Sequence, residues 1–179
     1  GYILKKTFDI FGFEHIKTKY FFASRRALLV PNLWWKSGLK EMLESILMPK
    51  VDSIESILIR LGMDKCVVNK KLIQIGIDPG IRIETKMAYA DERIKIINNI
   101  YKNEIIENSK KEFEVLIKYC QQERVCGKIG LVDIGWYGNM QLALSEALKK
   151  GGIDAEIHGY YVGLNPFGDN QKKYNMHGY

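Results

Sequence analysis

Lys128-Ile129-Gly130-Leu131-Val132-Asp133 is a short apolar run that ends on an acid, and the residues after it set the topology. Ile134 to Asn139 is a glycine-bearing turn, Met140 to Lys150 places apolar residues at helical spacing, and Gly151-Gly152 stops that helix. Ala155 to Leu164 then reads as another strand. Strand, turn, helix and strand in about 35 residues form a βαβ unit, which predicts two parallel strands and a right-handed crossover. The fold class is α/β.

Upstream the pattern differs. Tyr2 to Phe11 puts Ile3, Leu4, Phe8 and Phe11 on one helical face with Lys5 and Lys6 opposite, and Gly12 supplies a left-handed stop. Thr18 to Ala23 is an aromatic run with strand preference, bounded by Ser24-Arg25-Arg26, and predicts the first strand. Residues 36–126 are mostly helical. Leu39, Met42, Leu43, Ile46 and Leu47 keep a 3.6 period up to Pro49, Ser53 has the place of an N-cap for Ile54 to Leu61, and two helices follow over Asp91–Tyr101 and Glu104–Glu123. Gly76 to Gly80, with Pro79, reads as a loop. The expectation is one α/β domain over residues 1–179: a small parallel Rossmann-like sheet of three or more strands, interrupted by a helical insertion at 36–126. The opening Gly1-Tyr2-Ile3, without a Met, predicts a piece of a longer chain.

Composition agrees with a globular domain: of 179 residues, 46% are hydrophobic and 27% charged, which excludes a disordered tail or a collagen-like rod. The apolar stretch Ala27 to Trp35 is far below the roughly 20 residues a spanning helix needs, so no membrane span is expected. The formal charge is +6, but Lys5-Lys6, Lys70-Lys71, Lys110-Lys111, Lys149-Lys150 and Lys172-Lys173 are spread along the chain and interleaved with acids, so a nucleic-acid partner is not expected. Cys66, Cys120 and Cys126 are an odd number in a chain too large to need staples, which predicts free thiols and a cytoplasmic location. Neither they nor His15, His158 and His177 have zinc-ligand spacing.

Ligands of parallel sheets gather at the carboxyl ends of the strands. That rule selects Ser24, Arg25 and Arg26, where two guanidinium forks beside a hydroxyl could clamp a phosphate; alternatively the serine caps a turn and one arginine pairs with a surface acid. It also selects Asp133, Gly135, Trp136, Tyr137, Gly138, Asn139 and Gln141. Asp133 is the candidate catalytic carboxylate and the candidate ligand of Mg²⁺, the glycines would let backbone approach a ligand, the aromatics could stack on a ring, and Asn139 would cap the next helix. The alternative has the aromatics covering the end of the sheet. Phe8-Asp9-Ile10-Phe11 has the outline of an Asp-x-Asp nucleophile motif but lacks the second acid, and Leu131 to Leu148 has that of a phosphoribosyltransferase loop without its paired acids.

Tyr20 to Leu28 with Pro31, then Val132-Asp133-Ile134-Gly135-Trp136-Tyr137-Gly138-Asn139-Met140-Gln141, then Gly159 to Leu164, resemble a bacterial group of predicted hydrolases similar to the haloacid-dehalogenase superfamily and associated with glycosyltransferases of surface-polysaccharide loci. The resemblance covers both ends of the chain and implies a region downstream of a phosphatase-like domain. The expected function is binding of a phosphorylated sugar or nucleotide in polysaccharide biosynthesis, with a glycosyltransferase as partner or fused domain. The alternatives are a phosphohydrolase or phosphoribosyltransferase-like transferase in the same cleft, and a non-catalytic scaffold docking a glycosyltransferase through Trp34-Trp35.

Overall fold

The computed structural model of the chain describes residues 2–13, 15–48, 50–134, 137–163 and 175–178. Helix α1 (Tyr2–Ile10) forms on the predicted apolar spacing, and Gly12 at φ +74° turns the chain away from it. Helix α2 (Arg25–Leu29) begins where the Ser24 hydroxyl accepts from the Ala27 amide, and Pro31 sits in the 3₁₀ turn Val30–Trp35 that follows. Then come α3 (Leu39–Ile46), strand β1 (Val51–Ser53), α4 (Ile54–Arg60), α5 (Lys65–Gln74) and strand β2 (Arg82–Glu84). A second 3₁₀ turn, Thr85–Ala90, leads into α6 (Glu92–Gln122). Ser53 caps α4 as expected, accepting from the Ser56 amide.

Three expectations for this part need correction. Thr18 to Ala23 is not a strand. Strand preference is a preference for a pleated, paired surface, and here the run packs on a helix instead: Phe21 stacks on Tyr119 of α6 at 5.0 Å, and the Phe22 amide donates to the Tyr119 hydroxyl at 2.8 Å. The two helices over Asp91–Tyr101 and Glu104–Glu123 are one helix, because Lys102 and Asn103 are simply exposed while Ile97, Ile105, Leu116 and Cys120 keep one buried stripe across the supposed break. The insertion also holds an antiparallel pair, β1 with β2, that the sequence pattern does not announce.

The predicted strand, helix and parallel strand form, but the second strand stops at Tyr161, with Val162 and Gly163 in a bend where the sequence pattern extends it to Leu164. Strand β3 (Gly127–Asp133) is followed by α7 (Asn139–Lys150) and β4 (Ala155–Tyr161), and the two strands pair in parallel with Asp133 opposite Tyr161. The third strand is β5 (Met176–Gly178), parallel to β4 on its other side, giving the order β3-β4-β5. Ile157, Gly159 and Tyr161 are buried while Glu156 and Tyr160 are exposed, so α7 covers one face of the sheet. One continuous core joins this unit to the helices: Leu28 and Leu33 are buried with Leu43, Ile57, Leu58, Leu72, Ile94, Ala143 and Leu148. Asn32 bridges the two halves, its side-chain amide donating to the carbonyls of Leu28 at 3.0 Å and Ala143 at 2.8 Å.

Candidate functional site

The carboxyl end of the sheet is built around a buried polar pair. Gln141, fully buried on the first turn of α7, donates its side-chain amide to the Ile157 carbonyl at 3.0 Å and accepts from the Tyr161 hydroxyl at 2.7 Å. Burial, then the charge of Asp133 alongside, push the Tyr161 phenol up to about 12. Gln141, which the sequence offers as a ligand contact, joins α7 to β4 through these bonds. At Gly138, which is buried, a Cβ would fall 2.4 Å from the Met176 Cε, and its φ of +65° is the left-handed region that glycine tolerates best. Its smallness serves the packing of β5. Asn139 is the first residue inside α7, with Gly138 in the capping place, so Asn139 is not the cap. Tyr137 is exposed, and Asp133 is half-buried at the end of β3. Gly135 and Trp136 lie outside the described residues, as does Leu164 of the expected last strand.

Ser24, Arg25 and Arg26 sit at the start of α2. The Ser24 hydroxyl is used as the cap. Arg26 makes a two-point fork with Glu112 of α6, Nη1 to Oε2 at 3.1 Å and Nη2 to Oε1 at 2.6 Å. These two bonds use two of the five N–H groups of a guanidinium. Burial, then the charge of Arg60 on α4, lower the pKa of Arg25, and its Nε is buried without a hydrogen-bond partner among the described residues. The contacts of the two arginines therefore run to α4 and α6, whereas those of Gln141 and Tyr161 run through the sheet.

Arg26 opens onto a cleft of about 470 Å³, lined also by Ile59, Gly62, Met63, Asp64, Lys65, Asn108, Lys111 and Glu112. The start of α5 forms one wall: Asp64 caps it, accepting from the Cys66 amide at 2.7 Å, and Lys65 has no carboxylate within 4 Å among the described residues. Lys111 is shared with Glu107 at 3.0 Å, and both are well exposed. The Asn108 amide donates to the Gly62 carbonyl at 3.2 Å, fixing the opposite wall on α6. Sequence reasoning reached Arg26 but missed Lys65, Asn108, Lys111 and Glu112. Gly62 followed by Asp64-Lys65 is a helix-start signature that marks one of these residues; nothing local marks a carboxylate 86 positions from its arginine.

Among the described residues, no group of three or more histidines, cysteines, aspartates and glutamates is placed to hold a metal ion. Asp133 alone would leave most of the shell of Mg²⁺ to water and to the phosphates of a ligand. Trp34 and Trp35 are half-buried, packed edge-on against each other at 5.1 Å and against Phe113 at 5.7 Å and 5.5 Å, so they form the rim of the core rather than an exposed docking patch. The three cysteines are free. No helix among the described residues is long and apolar enough to cross a membrane. No protein-family model matches the chain, and no curated protein and no solved structure matches it either.

Proposed function

We propose that this chain binds a phosphorylated sugar or a nucleotide as part of a surface-polysaccharide assembly protein, in a cleft walled by helices rather than at the strand ends of its small Rossmann-like unit. The observation that carries this reading is the cleft beside Arg26. It has the volume of a small-ligand site, within the roughly 300–1,000 Å³ such sites occupy. Its chemistry is mixed in the way a phosphosugar demands. Arg26 keeps three N–H groups after its fork with Glu112, and Lys65 has no carboxylate of its own among the described residues, so phosphate oxygens have donors of the right charge. Asp64, Glu112 and Asn108 offer oxygen acceptors to sugar hydroxyls. The amino end of α5 adds its dipole to the same wall.

Asp133 has the place a catalytic carboxylate or Mg²⁺ ligand would need only if a ligand reaches the strand ends, and the cleft contains neither it nor Tyr137. Binding is therefore favoured over phosphoester cleavage. Calorimetric titration of the full chain with hexose phosphates and nucleotide sugars tests the reading. Saturable binding that Arg26→Ala and Lys65→Ala each weaken about tenfold supports it, the loss expected for one charge-assisted hydrogen bond. Binding unchanged in both variants, or none in the intact chain, sinks it.

A further inference from the structure

We propose that residues 4–13 and 15–22 form a docking surface for a membrane leaflet rich in anionic lipid, a property separate from the cleft. The first observation is apolar exposure concentrated in one stretch of chain. Ile10 is 78% exposed, Phe11 69%, Tyr20 62% and Phe22 77%, and Phe13 and Ile16 are exposed as well. Single exposed apolar residues are ordinary, whereas six large ones between positions 10 and 22 are the material of a contact surface.

The second observation is charge. Residues 2–22 hold four lysines against Asp9 and Glu14, a surplus of two, which is a third of the whole chain's surplus of six in about an eighth of its length. Lys19 is tied to Glu123 and Arg26 to Glu112, but Lys5 and Lys17 have no carboxylate within 4 Å among the described residues. Cations threaded between phenylalanines, a tyrosine and isoleucines suit a boundary that is apolar below and negative above. A protein groove of neutral apolar character would leave those ammonium groups desolvated and unpaired.

The third observation is how the stretch is held. Phe8 meets Phe13 edge-on at 6.3 Å, Phe13 meets His15 at 6.2 Å, and Tyr20 meets Phe22 at 4.6 Å. The aromatic rings thus pack among themselves, while Phe21 and the Phe22 amide anchor the stretch to Tyr119 on α6. The arrangement gives two preformed aromatic clusters, one after α1 and one over Tyr119, with lysines between them, and together they form the ledge.

The test is co-sedimentation of the full chain with vesicles of phosphatidylcholine alone and of phosphatidylcholine with phosphatidylglycerol, in low and in physiological salt. The expected result is partition onto the anionic vesicles only, weakened by salt. Neutralising two cations by Lys5→Gln with Lys17→Gln lowers the partition coefficient by about thirtyfold. Phe11→Ser with Phe22→Ser lowers it too, in protein whose circular dichroism matches the parent. Lys65→Ala, which removes a cation from the cleft, leaves vesicle binding intact, so failure of the cleft reading and failure of this one are told apart. Equal partition onto neutral and anionic vesicles, or sedimentation with neither, overturns the proposal. So does self-association without lipid that the Phe11→Ser and Phe22→Ser pair abolishes, since the ledge would then face a second copy of the chain.

Discussion

The Tyr161 hydroxyl donates to Gln141 at 2.7 Å inside the crossover, where both side chains are buried between α7 and β4. The bond fixes how the helix sits on the sheet. Removing the donor loosens that seat: Tyr161→Phe takes this hydrogen bond from the Gln141 carbonyl oxygen, at a cost of about 1 kcal/mol. A lowered urea midpoint with an unchanged slope is the expected outcome.

The same residue gives an alkaline signature. The folded phenol ionises near 12, above the ordinary value of 10, so between these two values the unfolded chain has lost a proton that the folded chain keeps. Stability is full below pH 10 and falls as pH rises through the folded value. Urea midpoints measured from about pH 8 upward should decline less steeply in Tyr161→Phe than in the parent.

Gly159 is held to a hydrogen by the Gln141 and Tyr161 pair. A Cβ on it would lie 2.0 Å from the Gln141 Oε1 and 2.6 Å from the Tyr161 Cε2. Gly159→Ala therefore destabilises by about 1–3 kcal/mol through overpacking. Gly38→Ala, at an extended φ of −175° where a Cβ meets nothing within 4 Å, is the uncrowded comparison.

At the acid end the informative group is Asp91. It caps α6 by accepting from the Arg93 amide at 2.9 Å and also holds the Arg93 guanidinium at 2.6 Å. The hydrogen bonds of Arg93 keep its carboxyl below 3.8 against the opposing effect of burial. Its contribution is therefore present above the unfolded value near 3.8 and lost as pH falls through the lower folded value. Asp91→Asn, which can still cap, should flatten the acid limb of a stability profile below about pH 5.

The thiols divide by burial. Cys66 and Cys126 are exposed, whereas Cys120 is buried on α6 and its pKa is pushed up to about 11. A thiol-reactive dye should label two positions in the native chain, with the third reacting only on unfolding.

The parts of the fold legible in the sequence are those whose signals are local. β3, α7 and β4 are readable because an apolar run, a periodic helix and a glycine pair each act over a few residues, and Ser53 is readable because a cap reaches only to Ser56. The aromatic run at Thr18 misleads because pairing needs a neighbour, and its neighbour is Tyr119, roughly a hundred positions away. β1, β2 and β5, of three residues each, are too short to show a period at all. At the candidate sites, sequence spacing locates Arg26 and Gln141 but not their occupations, since the one is oriented by Glu112 and the other is consumed by Tyr161.

Helix α6 runs unbroken for 31 residues, a rod of about 46 Å at 1.5 Å per residue. Along that single splint lie Asn108 and Glu112 on the cleft, Phe113 under the tryptophans, and Tyr119 beneath the aromatic ledge, with Glu123 just beyond its end and the start of β3 soon after. A stiff beam cannot tilt at one bearing and stay still at the others. Whatever shifts the beam at Glu112 is felt at the ledge and at the first residue of the sheet.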